Sequence, residues 1–131
     1  DAYADTAAKM RASAVFAMGR SCDRRWLPAV LNELENADAE MRFEAARASG
    51  EIEDRRAVPL LVKLLRDTDR EVRVAAVGAL GAIGGPEAKQ ALRQVAQGTD
   101  EELALAAEEA LEEIEIGEDA LHMRFPEIGE N

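Results

Sequence analysis

Residues 69–84 read DREVRVAAVGALGAIG, and this stretch is the clearest copy of a pattern that recurs every 31 residues. Positions 31 residues apart form columns in which the residue type is kept. The clearest column is glycine, at Gly19, Gly50 and Gly81. A fixed period of this length is typical of stacked supersecondary units, none of which can bury its apolar face alone. The sequence therefore predicts a repeat architecture, and its extended surface favours binding over catalysis.

Each copy predicts a pair of helices. In the copy that begins at residue 69, Asp69 is a good N-cap. The apolar residues that follow at the helical spacings of three and four are Val72, Ala75, Ala76, Ala79, Leu80 and Ile83. Gly84-Gly85-Pro86 ends this helix and begins a second one. Because no stretch alternates apolar and polar residues, no sheet is expected. The predicted fold is all-α, an α-solenoid of stacked antiparallel helix pairs.

The period divides the chain into units 10–40, 41–71 and 72–102, a partial unit 103–116 and an acidic C-terminal tail 117–131. The tail is expected to be non-helical, and its apolar residues either cover the edge of the last helix or form a short linear motif. These residues are Leu121, Met123, Phe125 and Ile128. At the other end, residues 5–19 read as the first helix of a unit without a preceding helix, so we expect further repeats upstream in the parent chain.

Residues 10–116 resemble the HEAT repeat family, in particular the short HEAT-like repeats of the phycobilisome bilin lyase type. The resemblance rests on residues 69–84 and on a second-helix motif at Ala57-Val58-Pro59-Leu60-Leu61. It implies an armadillo-type superhelix that acts as a protein-binding scaffold. The alternative that it leaves open is an accessory or catalytic subunit of the bilin-lyase type, which would bind a tetrapyrrole.

Two columns of opposite charge lie four residues apart, with Asp38 before Arg42 and Asp69 before Arg73. The resemblance implies that these residues form a structural ladder between neighbouring repeats. A ligand site is the alternative, although Asp and Arg at helical spacing usually form a local pair.

Charge is unevenly distributed along the 131 residues. Residues 98–131 contain 12 acidic residues and one arginine, which accounts for the whole net charge of −11. The acidic last helix is either a polar cap of the stack or a docking surface for a basic partner. Since nucleic-acid binding needs a basic stripe, a nucleic-acid partner is not expected. No apolar run approaches a membrane span of about 20 residues. A single cysteine, Cys22, favours a reducing, cytoplasmic location.

The sequence offers little for catalysis. His122 is the only histidine and lies in the tail, and no Cys and His residues cluster as a zinc site would require. Gly84-Gly85-Pro86 lacks the Lys-Ser/Thr that follows a phosphate-binding loop. We therefore expect a protein that is not an enzyme and has neither a metal nor a cofactor.

The resemblance implies that the second helix of each pair lines the concave face of the stack. On this face we predict an apolar strip that becomes basic in the third unit and binds an acidic-flanked, amphipathic peptide or helix of a partner protein. Its residues are Trp26, Leu27, Leu31, Val58, Val62, Lys63, Arg66, Lys89 and Arg93. The alternative is that these side chains only fill the contact between neighbouring second helices. Trp26 is the expected aromatic anchor.

Overall fold

A computed structural model describes residues 2–124, and within that range the chain contains seven α-helices, two 3₁₀ turns and no strand. The helices are α1 (Ala2–Ser21), α2 (Leu27–Glu33), α3 (Ala39–Ile52), α4 (Val58–Leu64), α5 (Arg70–Ile83), α6 (Pro86–Ala96) and α7 (Glu101–Arg124). The 3₁₀ turns, Arg24–Trp26 and Arg55–Ala57, lead directly into α2 and α4. The predicted all-α solenoid is confirmed.

The helices form two layers. The first-helix layer consists of α1, α3, α5 and α7, which pack side by side in that order. The second-helix layer consists of α2, α4 and α6, and each of these packs against the first helix of the following unit. The buried residues form one continuous band between the layers, in which Leu61, Leu80 and Leu92 are fully buried. Each unit thus completes the core of its neighbour.

The glycine column sets how closely the first helices approach. A Cβ atom built on Gly81 would lie 2.8 Å from Cβ of Ala110 on α7. The same atom on Gly50 would lie 3.0 Å from Cα of Ala79 on α5. The separation at Gly81 is shorter than real Cβ contacts show, and the one at Gly50 is tighter than most of them. Glycine on one helix and alanine on the next therefore fix the spacing of the stack.

The reversal after each first helix uses a residue with positive φ in a fixed column. Cys22, Glu53 and Gly84 have φ angles of 54°, 57° and 73° and lie 31 residues apart. Glycine adopts this conformation without steric cost, whereas a residue with a Cβ atom loses about 1–2 kcal/mol in the left-handed region. The same column in the fourth copy is Glu115, which lies inside α7. The fourth copy therefore continues as one straight helix.

The expectation of a non-helical tail is wrong for residues 117–124, because α7 continues through Gly117 to Arg124. Residues 118–121 are mostly strong helix formers, and Gly117 is exposed, so its cost of about 1 kcal/mol does not break the helix. An ion pair of 2.8 Å between Lys89 and Glu118 ties this extension to α6. Leu121 is 60 % exposed. The side chain of Met123, and residues Phe125 and Ile128, lie outside what the structure describes.

The ladder between repeats is present, but its acidic residue is Asp67. Arg42 donates from Nε and Nη2 to the carboxylate of Asp67, at 2.7 and 3.0 Å. Its Nη1 donates to the carbonyls of Asn36 and Ala37, each at 2.9 Å. Arg73 in the next unit donates to the carbonyl of Asp67 at 2.7 Å. Both arginines therefore bind the loops that join one unit to the next.

The predicted roles of Asp38 and Asp69 in the ladder are wrong. The carboxylate of Asp38 accepts from the backbone N–H of Glu40, and that of Asp69 accepts from the backbone N–H of Val72. Each aspartate is the N-cap of its own helix, and this turns the carboxylate toward the first turn. Their charges still favour the Arg42 cation at a distance.

We expect the substitution Gly81→Ala to destabilise the chain by about 1–3 kcal/mol, since the new methyl group overpacks the contact with Ala110. Urea denaturation followed by circular dichroism measures the loss. The control is Gly117→Ala, where a Cβ atom meets nothing within 4 Å and alanine favours the helix by up to about 1 kcal/mol. Equal stability of the Gly81→Ala variant and the native chain would contradict the spacing argument.

Replacing Glu53 by glycine should raise the free energy of unfolding by about 1 kcal/mol, because glycine relieves the positive φ at the end of α3. Thermal unfolding of the variant measures the gain. The Glu53→Ala variant removes the same charge but keeps a Cβ atom, so it should show no comparable gain. If both variants gained equally, the effect would come from charge rather than from the backbone.

Hydrogen bonds from Arg42 hold the pKa of Asp67 below its ordinary value. The stabilisation is therefore present above the unfolded-state pKa of about 4 and is lost as the pH falls through the lower folded-state pKa. We expect Asp67→Asn to cost about 2 kcal/mol at pH 7, the range for charged hydrogen bonds. The difference from the native chain should shrink in acid, as measured by urea denaturation between pH 7 and pH 3. A difference independent of pH would show that the charge of Asp67 contributes nothing.

Candidate partner-binding surface

The second-helix layer carries a groove between α4 and α6 with a volume of about 450 Å³. Its apolar lining comes from both helices: Val62 and Leu65, and Ala91 and Val95. Val62 and Val95 are half-buried, so part of each side chain faces solvent. The spacings of three and four place these residues on one face of each helix. The result is an open apolar trough rather than an enclosed cavity.

Cationic side chains lie at the edge of this groove. Lys63 and Arg66 line it and are exposed, and Gln94 faces them from α6. Arg93 is also exposed on α6. Among the described side chains, no carboxylate lies within 4.0 Å of a nitrogen of Lys63, Arg66 or Arg93. The edge is therefore a locally basic region in a chain of net charge −11.

Two residues of the predicted strip belong to the core instead. Leu27 is 1 % exposed and Val58 is 4 % exposed, and both belong to the buried cluster. Val58 and Val62 do lie on one side of α4, as their spacing predicts. However, α4 has only seven residues, so its first residue is enclosed where the 3₁₀ turn enters the stack. Helical spacing identifies a face but not how much of it a neighbour covers.

The remaining strip residues do not form one continuous surface. Trp26 is 42 % exposed and ends the 3₁₀ turn before α2, and Leu31 is half-buried on α2. Neither lines the groove between α4 and α6. Lys89 is engaged by Glu118. Of the predicted residues, the structure thus brings Val62, Lys63 and Arg66 together.

Four of the seven residues that line the groove are not among the predicted ones. Leu65, Ala91, Gln94 and Val95 also line it. A signal was available, because Leu65 lies three residues after Val62, and Val95 lies four after Ala91. Single columns across the units do not identify this groove, because it lies between two helices and each helix contributes residues from different columns.

No three His, Cys, Asp or Glu side chains among the described residues are grouped closely enough to hold a metal ion. None of the described helices combines the length and the apolar character that a membrane crossing requires.

Comparison with known proteins gives one match. A protein-family model described as HEAT repeats matches residues 1–62 and 27–112, so the matched ranges together reach from residue 1 to residue 112. No curated protein matches the chain.

Proposed function

The chain belongs to the HEAT repeat family, and on that premise we propose that it is a protein-interaction module that binds an acidic, amphipathic helix in the α4–α6 groove. Members of the family generally act as protein-interaction scaffolds and are generally non-catalytic. The observation that carries the finer proposal is the combination of an apolar trough with two cations, Lys63 and Arg66, that have no ion-pair partner among the described residues.

The groove has the dimensions of a site for a few side chains. Its volume of about 450 Å³ lies within the range of ligand pockets, about 300–1,000 Å³. An amphipathic helix fills such a trough with apolar residues at spacings of three, four and seven. Val62 and Val95, which are half-buried, would then contact the apolar face of the partner, and burial of that face supplies the binding energy.

Electrostatics select the charge of the partner. Lys63 and Arg66 attract carboxylates at the groove, while the net charge of −11 repels an acidic protein elsewhere on the surface. Such complementarity contributes to orientation and to the association rate more than to affinity. An acidic helix is therefore guided to this groove and away from α7, whose first turn already carries Glu101 and Glu102.

The tetrapyrrole alternative has no observation in its favour. All seven residues that line the α4–α6 groove are aliphatic, amide or basic. The cytoplasmic location remains a prediction from the sequence.

The test is a displayed library of 16-residue peptides, selected on the native chain and counter-selected on the Lys63→Glu/Arg66→Glu variant. Peptides that bind the native chain better than the variant should be acidic, with apolar residues at helical spacing. Their affinity for the variant should fall about tenfold or more, which corresponds to 1.4 kcal/mol. Fluorescence anisotropy on the synthetic peptides measures this fall.

The matched control is Lys9→Glu/Arg20→Glu, which makes the same change in charge at two exposed positions of α1. The selected peptides should bind this control as they bind the native chain. If the affinity for the peptides fell equally in both variants, the loss would come from the net charge of the chain rather than from the groove. A selection that yields no acidic peptide would overturn the assignment of the groove.

A further inference from the structure

Gly78 is a glycine that the packing of the chain does not require. It lies in the middle of α5, where glycine is less favourable for the helix than alanine. A Cβ atom built on it would meet nothing within 4 Å, unlike one on Gly50 or Gly81. Its φ is not positive either. The residue therefore lowers stability without serving a helix contact or a turn.

The missing side chain opens a groove between α3 and α5 on the first-helix layer. This groove has a volume of about 550 Å³, and its lining includes Phe43, Val74, Ala75, Gly78 and Ala82. The column of Gly78 contains Phe16, Arg47 and Glu109 in the other copies. A long side chain at position 78 would occupy the space, so glycine is what keeps the groove open.

Apolar side chains are exposed along this groove. Val74 is 44 % exposed, and Leu105 in the same column is 60 % exposed. Phe43 is the third member of that column, and its ring lies 5.8 Å from the guanidinium carbon of Arg47. The three residues form an apolar row across α3, α5 and α7.

The charges around the groove are mainly negative. Glu51 and Glu53 line it together with Arg47. A second cavity of about 370 Å³ adjoins it through Phe43, which lines both cavities. The acidic lining of this second cavity is Glu40, Glu44, Asp69 and Glu71.

Glu44 is the most unusual of these acids. Its Oε2 atom is buried and has no hydrogen-bond partner among the described residues. Burial also raises the pKa of this carboxyl group above its ordinary value. A cation placed in the second cavity would supply the partner that Glu44 lacks.

We propose that the α3–α5 groove binds a basic, amphipathic helix of a partner protein, whose apolar side chains lie over Gly78 between Phe43 and Val74 and whose lysines or arginines face the surrounding glutamates. This site is distinct from the α4–α6 groove. It lies on the other layer and selects the opposite charge, so the module holds two different partners at once.

The test uses a displayed library of 16-residue peptides, selected on the native chain and counter-selected on the Gly78→Met variant. A Cβ atom at position 78 meets nothing within 4 Å, and methionine favours the helix over glycine, so this variant should melt above the native chain. Discriminating peptides should be basic and amphipathic. Their affinity for the Gly78→Met variant should fall tenfold or more by fluorescence anisotropy.

The control is Gly117→Met, a second exposed helical glycine whose Cβ atom would meet nothing within 4 Å. It makes the same chemical change outside the groove and should alter affinity less than twofold. Because neither substitution changes charge, nonspecific attraction of basic peptides to an acidic chain cannot produce the difference.

A second variant, Val74→Lys, places a cation in the groove and should weaken the same peptides at least as strongly. Three outcomes would overturn the proposal. Peptides that bind the native chain and the Gly78→Met variant equally would show that the groove is not used. If the discriminating peptides were acidic, the proposed positive charge of the partner would be wrong. If no peptide bound the native chain better than the variant, the proposed site would be ruled out.

Discussion

The contact between a glycine of one first helix and an alanine of the next is the constraint on which the rest of the structure depends. A Cβ atom on Gly81 would clash with Ala110, and one on Gly50 would lie very close to Ala79. The close approach brings each second helix onto the first helix of the following unit, and the core becomes one continuous band. The arginine ladder through Asp67 then joins loops that this spacing has already brought into register.

Much of this architecture could be predicted from the sequence, because the relevant signals are local and repeat. Aspartate N-caps, apolar residues at helical spacing and the glycine column predict helix pairs and their stacking. The length of α7 could not be predicted from these signals, since Gly117 stops a helix only where a turn is also stabilised. The acidic partner of Arg42 was missed because Asp67 is 25 residues away and its column contains Asn36 and Gly98 in the neighbouring copies. The burial of Val58 in the candidate site could not be predicted either, because it depends on the neighbouring 3₁₀ turn.

The two layers present surfaces of different character. The second-helix groove combines aliphatic residues with Lys63 and Arg66, whereas the first-helix groove combines Phe43 and Val74 with glutamates. Both grooves lie between adjacent units, so their widths follow from the same glycine and alanine contacts. A solenoid can therefore carry independent sites on its two layers without enlarging its core.

The fourth copy departs from the others at the position that controls stacking. Where the earlier units have Gly19, Gly50 and Gly81, α7 has the exposed Glu112. Another copy of the module approaching α7 as α7 approaches α5 would meet a carboxylate in place of bare backbone, and burying that charge unpaired would be costly. Glu112 therefore makes α7 a helix on which the close stacking of the earlier units is not repeated.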